Sequence, residues 1–238
     1  MTTTYPTPVT LSPSRISTFR TCPLQFRFAS IEKLPQPPQI HLVKGNFVHR
    51  VLELLLGHEP ENRSVEAARE AFELTRQEYE PSARFKALAL SPDATEAFFK
   101  DSRELVNGYY RMENPRNAKI IGLELRLDSD FGKFKLGGII DRLEYNEKNE
   151  LVVSDYKTGK PPDARFGANK MDNMHIYASL CLRERGELPK RLRLMYLKTS
   201  TPIEVEVTPE SNAACEAAAI QTFEKIESSC ESGVFATK

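Results

Sequence analysis

The hydrophobic positions change period partway along the chain. Up to about residue 113 they recur at helical spacing. Ser12 followed by Pro13 is a helix start, with a hydroxyl cap and a proline in the first turn. Ile16 and Phe19 share one face of that helix, which runs to about Thr21 before Pro23 bends or ends it. LPQPPQIH (34–41) reads as a loop, the stretch from Val43 to Leu56 as a mostly buried helix, and residues 64–80 and 91–113 as two further helices. Strand character then takes over at KIIGLELRLD (119–128), KFKLGGIIDRLEY (133–145) and ELVVSDYK (150–157), with NEKN (146–149) a hairpin turn. A helix over 169–185, a strand pair at 191–198 and 202–207, and a helix over 209–231 complete the prediction.

That order predicts an α/β fold, a central mixed sheet flanked by helices with an N-terminal helical portion beside it. The helix between 150–157 and 191–198 is long enough for a crossover, which makes those strands parallel neighbours. Residues 1–11, rich in Thr and Pro, are expected to be a flexible leader. The remaining 12–238 are expected to be one domain, with 58–115 a helical insert over the cleft.

Lys plus Arg and Asp plus Glu both total 33, so a polyanion partner would have to use a local patch. No apolar run reaches membrane-spanning length, and MTTTYPTPVT lacks the regions of a signal peptide. An intracellular, cytoplasmic protein is expected. Cys22, Cys181, Cys215 and Cys230 form no CxxC pair, so they make neither a disulfide framework nor, alone, a zinc site.

Candidate chemistry gathers at DYKTGK (155–160), which follows the apolar LVV. Alternation puts Asp155 and Lys157 on one face and Tyr156 on the other. Taken alone, the hexapeptide is a surface ion pair entering a glycine turn. The hairpin, however, sets it beside Asp141 of GGIIDRLEY. Clustered carboxylates repel, and a hard cation such as Mg²⁺ or Mn²⁺ relieves the repulsion while taking phosphate oxygens. An adjacent amine can orient water or neutralise a phosphate oxygen. These residue types suit phosphodiester hydrolysis.

GGIIDRLEY with LVVSDYKTGK resembles the D…(D/E)xK signature of the PD-(D/E)XK nuclease superfamily, in particular its RecB-like and CRISPR-associated exonuclease branch. LSPSRISTFRTCPLQFRF (11–28), KGNFVHRVLE (44–53) and MHIYASLCL (174–182) resemble three further motifs of that branch, in order. The resemblance implies a restriction-endonuclease-like core and a metal-dependent deoxyribonuclease acting on single-stranded DNA ends. It assigns Asp141 and Asp155 to Mg²⁺ or Mn²⁺, His49 to the same metal shell, Lys157 to catalysis and Tyr177 to the site lining. Glu124 matches an acidic position of the branch, and Asn173 stands where its glutamine is usual. Many relatives hold an iron–sulfur cluster with one Cys in the opening Cys-Pro step and three near the C-terminus. Only Cys22 matches, so a cluster is expected only of a longer form.

For several of these residues a structural role competes. His49 could be a hydrogen-bonded core histidine, Glu124 a partner of Arg142, Tyr177 a core aromatic and Cys22 a small buried hydrophobe. Arg15, Arg20 and Arg27 alternate with Phe19, Phe26 and Phe28, which suits a grip on a nucleic-acid strand or a solvated face over a core. A rival reading is a non-catalytic DNA-binding scaffold subunit of a helicase–nuclease or CRISPR-type assembly. A phosphohydrolase acting on small nucleotides finds no nucleotide-binding loop. The resemblance implies DNA repair, recombination, or phage or CRISPR-type DNA processing, with a helicase or similar partner and no membrane.

Overall fold

The computed structural model describes residues 4–162 and 168–237. Its elements are β1 (Thr10–Leu11), α1 (Pro13–Thr21), α2 (Pro23–Phe26), α3 (Ile40–Leu56), α4 (Val65–Tyr79), α5 (Ala83–Lys86), α6 (Pro92–Tyr110), β2 (Lys119–Asp130), β3 (Lys135–Tyr145), β4 (Leu151–Lys157), α7 (Ala168–Arg185), β5 (Arg191–Tyr196), β6 (Thr201–Glu206) and α8 (Pro209–Ser232). Hydroxyl caps start many of the helices. Ser12, Ser64, Ser82 and Ser91 each accept the N–H three residues on, and Gly233, with φ 72°, closes α8 in the left-handed region. α3 begins inside the segment predicted as loop, because a proline restricts itself and the residue before it, so Pro37 and Pro38 leave the chain from Gln39 onward free to enter a helix. The four-residue α5 was not predicted; Ser82 caps it and Phe85 is buried beneath it.

The sheet runs β1-β3-β4-β5-β6, with β2 paired to β3 off this path. β3 and β4 form the expected antiparallel hairpin, and β4 and β5 are parallel, with α7 as their crossover. Residues 1–3 of the predicted leader lie outside the described residues. Thr10 and Leu11, expected in that flexible leader, instead pair with Lys135 and Leu136, and the Leu11 side chain is fully buried. Tyr5 is also tied down, its N–H donating to the Cys230 carbonyl at 2.9 Å and its ring meeting Phe235 edge-on. Burial of apolar surface outweighed the loop-like composition of this segment.

Two apolar clusters cover the sheet. One joins Ile16, Phe19 and Phe26 to α7, α8 and the sheet residues Leu143, Val153 and Leu194. The other joins α3, α4 and α6 to Tyr156, Met195 and Leu197, with Phe47 in ring contact with Phe72, Tyr79, Phe98 and Phe99. Strand alternation apportions the side chains, so that Leu192, Leu194 and Tyr196 face the first cluster and Met195 and Leu197 the second. In β2 and β3 this rule breaks. Leu123 packs on the second cluster and Leu125 on the first, although two residues apart they should share a face. Between them Glu124 has φ 43°. Across the ladder, Ile140 belongs to the first cluster, while Arg142 lies under the rings of Tyr109 and Tyr156 of the second. The two strands therefore turn over at Glu124 and Asp141.

Candidate active site

The turnover of β2 and β3 aims acidic side chains out of the sheet. Leu123 pairs with Arg142 and Leu125 with Ile140, which sets Glu124 opposite Asp141. α3 brings His49 to the same place. Ligand atoms of His49, Glu124 and Asp141 all lie within 4.8 Å of one another. A left-handed φ at a non-glycine residue is a strained conformation that persists where the surroundings impose it, and here it falls on one member of the cluster.

Tyr156 organises the cluster through its backbone. Its N–H donates to Asp141 Oδ2 at 2.7 Å, and its carbonyl lies 3.0 Å from His49 Nε2. A carbonyl only accepts, so Nε2 carries the hydrogen. Nδ1, 3.5 Å from Asp141 Oδ2, is the nitrogen turned to the carboxylates. A metal-bound histidine commonly has this arrangement, one nitrogen donating to a carbonyl and the other offering its lone pair. The Tyr156 ring points to the opposite face, as alternation predicts, and packs edge-on against His49 and Tyr109.

Asp155 and Lys157 share the face predicted for them and form an ion pair. The Lys157 ammonium meets Asp155 at Oδ2, on a carboxylate that is otherwise buried. Burial and the Asp141 charge raise the Asp155 carboxyl to about 6 against the pull of Lys157. Burial and Asp141 likewise raise Glu124 to about 7. For His49, burial works downward, but Asp141, Asp155 and Glu124 outweigh it and lift the imidazole to about 9. Desolvated acids that hold on to protons and an imidazole nitrogen facing them, with ligand atoms close together, make a donor set that fits a hard divalent cation.

The other predicted residues divide. Tyr177 of α7 is half-buried and stands at the site. Its hydroxyl is pushed up by burial and then by the charges of Asp155, Asp141 and Glu124. Gly138 makes room for it, since a Cβ there would come 2.7 Å from Tyr177 Cε1. Asn173 is half-buried one turn earlier on α7. Glu124 does not pair with Arg142, whose carboxylate partners are Glu113 and Glu144. Cys22 is half-buried between α1 and α2 and belongs to no metal-holding group among the described residues, where the one such group is His49, Glu124 and Asp141. The arginines near the N-terminus mostly serve the fold. Arg15 donates to the Thr10 carbonyl, Arg20 to Thr222 and the Ala218 carbonyl, and Arg27 pairs with Glu32 beneath Tyr5 and Phe235.

The PD-(D/E)XK nuclease superfamily model matches residues 10–235, nearly the whole chain and every motif above. The chain belongs to the PD-(D/E)XK nuclease superfamily. No curated protein matches it. Among solved structures it is similar to a candidate exonuclease from Eubacterium rectale, at TM-score 0.58 and 10% identity over 96% of this chain and 84% of that one. SSO0001 overlaps less well, at TM-score 0.37 and 18% identity over 77% of this chain and 84% of the other. For a PD-(D/E)XK nuclease the mixed sheet between two helical layers is the family's restriction-endonuclease-like core, and the family works with divalent metals.

Sequence reasoning missed two features of this nuclease. The backbone role of Tyr156 has no sequence signal, because any residue at that position carries the same N–H and C=O. The buried Arg142, on β3 and paired with Glu113 and Glu144, was visible only as a charged residue in an apolar strand.

Proposed function

We propose that this PD-(D/E)XK nuclease is a metal-dependent deoxyribonuclease that hydrolyses phosphodiester bonds, acting as an exonuclease on single-stranded DNA ends. The convergence of His49, Glu124 and Asp141 beside the Asp155–Lys157 pair carries the reading. His49, Asp141 and Asp155 hold Mg²⁺ or Mn²⁺, with Glu124 as a further ligand. When bound, such an ion supplies Lewis-acid chemistry, neutralising charge on the phosphate and acidifying water. Lys157 orients the attacking water and offsets charge on a phosphate oxygen. Tyr177 lines the far side of the site, and the Tyr156 backbone keeps Asp141 and His49 in place. Helices of residues 58–115 guide the strand toward the cleft. The preference for ends draws on the family resemblance and on the similar candidate exonuclease. An intracellular setting in DNA repair, recombination or CRISPR-type processing, beside a helicase-like partner, fits this activity. No helix among the described residues is long and apolar enough to cross a membrane.

The test is to incubate end-labelled single- and double-stranded DNA with the protein in Mg²⁺, Mn²⁺ or EDTA, alongside Lys157→Ala and Asp141→Ala. Degradation should require metal and fall by about 10² or more in both variants. Equal activity in the variants would remove this site from the chemistry. DNA binding without any cleavage would point to the scaffold role instead.

A further inference from the structure

We infer that the cleft between α3, α6 and the ends of β4 and β5 binds the sugar–phosphate backbone of a single nucleic-acid strand next to the bond being cut. This rests on the nuclease reading above. The cleft measures about 330 Å³, and its walls include Lys44, Asp101, Glu104, Arg111, Thr158 and Lys198. It lies outside the carboxyl ends of parallel strands, where open α/β sheets place their ligands. Its volume is near the lower end of ligand clefts, roughly 300–1,000 Å³.

Chain connectivity ties the cleft to the candidate metal centre. Thr158 directly follows Lys157, and the Lys157 carbonyl accepts the Leu197 N–H at 2.9 Å, so Lys198 leaves β5 alongside the exit of β4. Gly108 lets α6 approach these exits, and Gly45 of α3 packs against Thr158 at ordinary contact distance. A Cβ on Gly45 would lie 3.6 Å from Thr158 Oγ1, and a Cβ on Gly108 would lie 2.0 Å from the Leu197 carbonyl oxygen. The cleft is thus held at a set position relative to Lys157.

Three cations, Lys44, Arg111 and Lys198, face the carboxylates of Asp101 and Glu104, a net positive lining that suits phosphate. Lys44 is largely covered, its side chain 18% exposed, yet its ammonium meets Asp101 at 2.8 Å, whose side chain is 65% exposed. Lys44 chiefly holds the Asp101 carboxyl below its usual range, and Lys198 adds to the effect. Arg111, anchored by Nε to Ser200 Oγ at 2.9 Å, supplies the third cation. An exposed carboxylate in a weak ion pair is the contact an incoming phosphate oxygen replaces most easily. Asp101 stands where that oxygen would sit.

The test uses Lys198→Glu and Arg111→Ala, with far-UV circular dichroism as the folding check. Binding of a labelled single-stranded oligonucleotide, DNA and RNA in parallel, is followed by anisotropy in Ca²⁺ across salt concentrations. Hydrolysis of a p-nitrophenyl phosphodiester, too small to reach the cleft, is measured in Mn²⁺. Lys198→Glu should weaken oligonucleotide binding about tenfold at 0.1 M salt and flatten the salt slope by about 0.7 per lost contact, with the small-ester rate unchanged. Arg111→Ala should do the same to a smaller extent. Unchanged binding and slope, or an equal loss on the small ester, would overturn the inference. If the wild type in Mn²⁺ hydrolyses neither this ester nor the labelled oligonucleotides, the nuclease reading fails, while the anisotropy still decides the cleft.

Discussion

Replacing Arg142 by Met would strand buried carboxylates, and the size and pH dependence of the damage follow from its surroundings. Arg142 has no exposed surface. Its guanidinium pairs with Glu113 and, at 2.8 Å, with Glu144, which is 5% exposed. Removing one partner of such a buried set costs about 3–5 kcal/mol. Arg193 remains, 3.3 Å from Glu144 and 3.6 Å from Glu113, so the loss should sit near the lower end, about 3 kcal/mol at neutral pH. That corresponds to a fall in Tm of roughly 6–12 °C for a chain of this length. The pH dependence separates stranded charge from lost packing. In the wild type, burial pushes the Glu113 carboxyl up, but attraction to Arg142 overrides it and holds the group below its usual range. Glu113 therefore adds stability that is present above the unfolded value of about 4.3 and is lost as pH falls through the folded one. Without Arg142 the burial effect prevails and the folded carboxyl rises above the unfolded value. The variant then binds the proton more tightly when folded and recovers stability as the medium is acidified. Urea unfolding followed by circular dichroism and tyrosine fluorescence, the chain having no Trp, should show a deficit that narrows from pH 7.5 to pH 5. A deficit equal at both values would show that the carboxylates are not stranded and that Arg142 contributes only packing.

Glu124→Gly should stabilise the protein while weakening its proposed chemistry. Relief of the left-handed φ yields about 1–2 kcal/mol and glycine's flexibility takes back about 0.5–1, so Tm should rise by a few degrees while metal-dependent cleavage drops. A fall in Tm would mean that the backbone there is not strained. Gly108→Ala should cost roughly 3 kcal/mol, because its Cβ would meet the Leu197 carbonyl, and calorimetry should find it far worse than Gly137→Ala, whose Cβ would meet only the movable tip of Asp128.

Much of the site was legible because its signals are local. The hairpin between β3 and β4, the shared face of Asp155 and Lys157 and the helix bearing His49 all follow from alternation, turn composition and helical spacing. The weight of Glu124 was not legible. Its part depends on a positive φ that arises only where two paired strands turn from one cluster to the other, and no residue type near it announces that turn. The partners of Arg142 were equally hidden, since Glu113 lies beyond the end of α6 and nothing in its neighbourhood marks it as buried.

By itself the sequence determined the order and type of most elements and the residues able to bind a cation, because periodicity, caps and side-chain chemistry are properties of short stretches. Only the tertiary structure decided which acids meet His49, which cation neutralises which buried carboxylate, and that Thr10 and Leu11 join the sheet. Those outcomes depend on desolvation and on contacts between distant segments, whose free energies exist only once the two apolar clusters have closed around the strands.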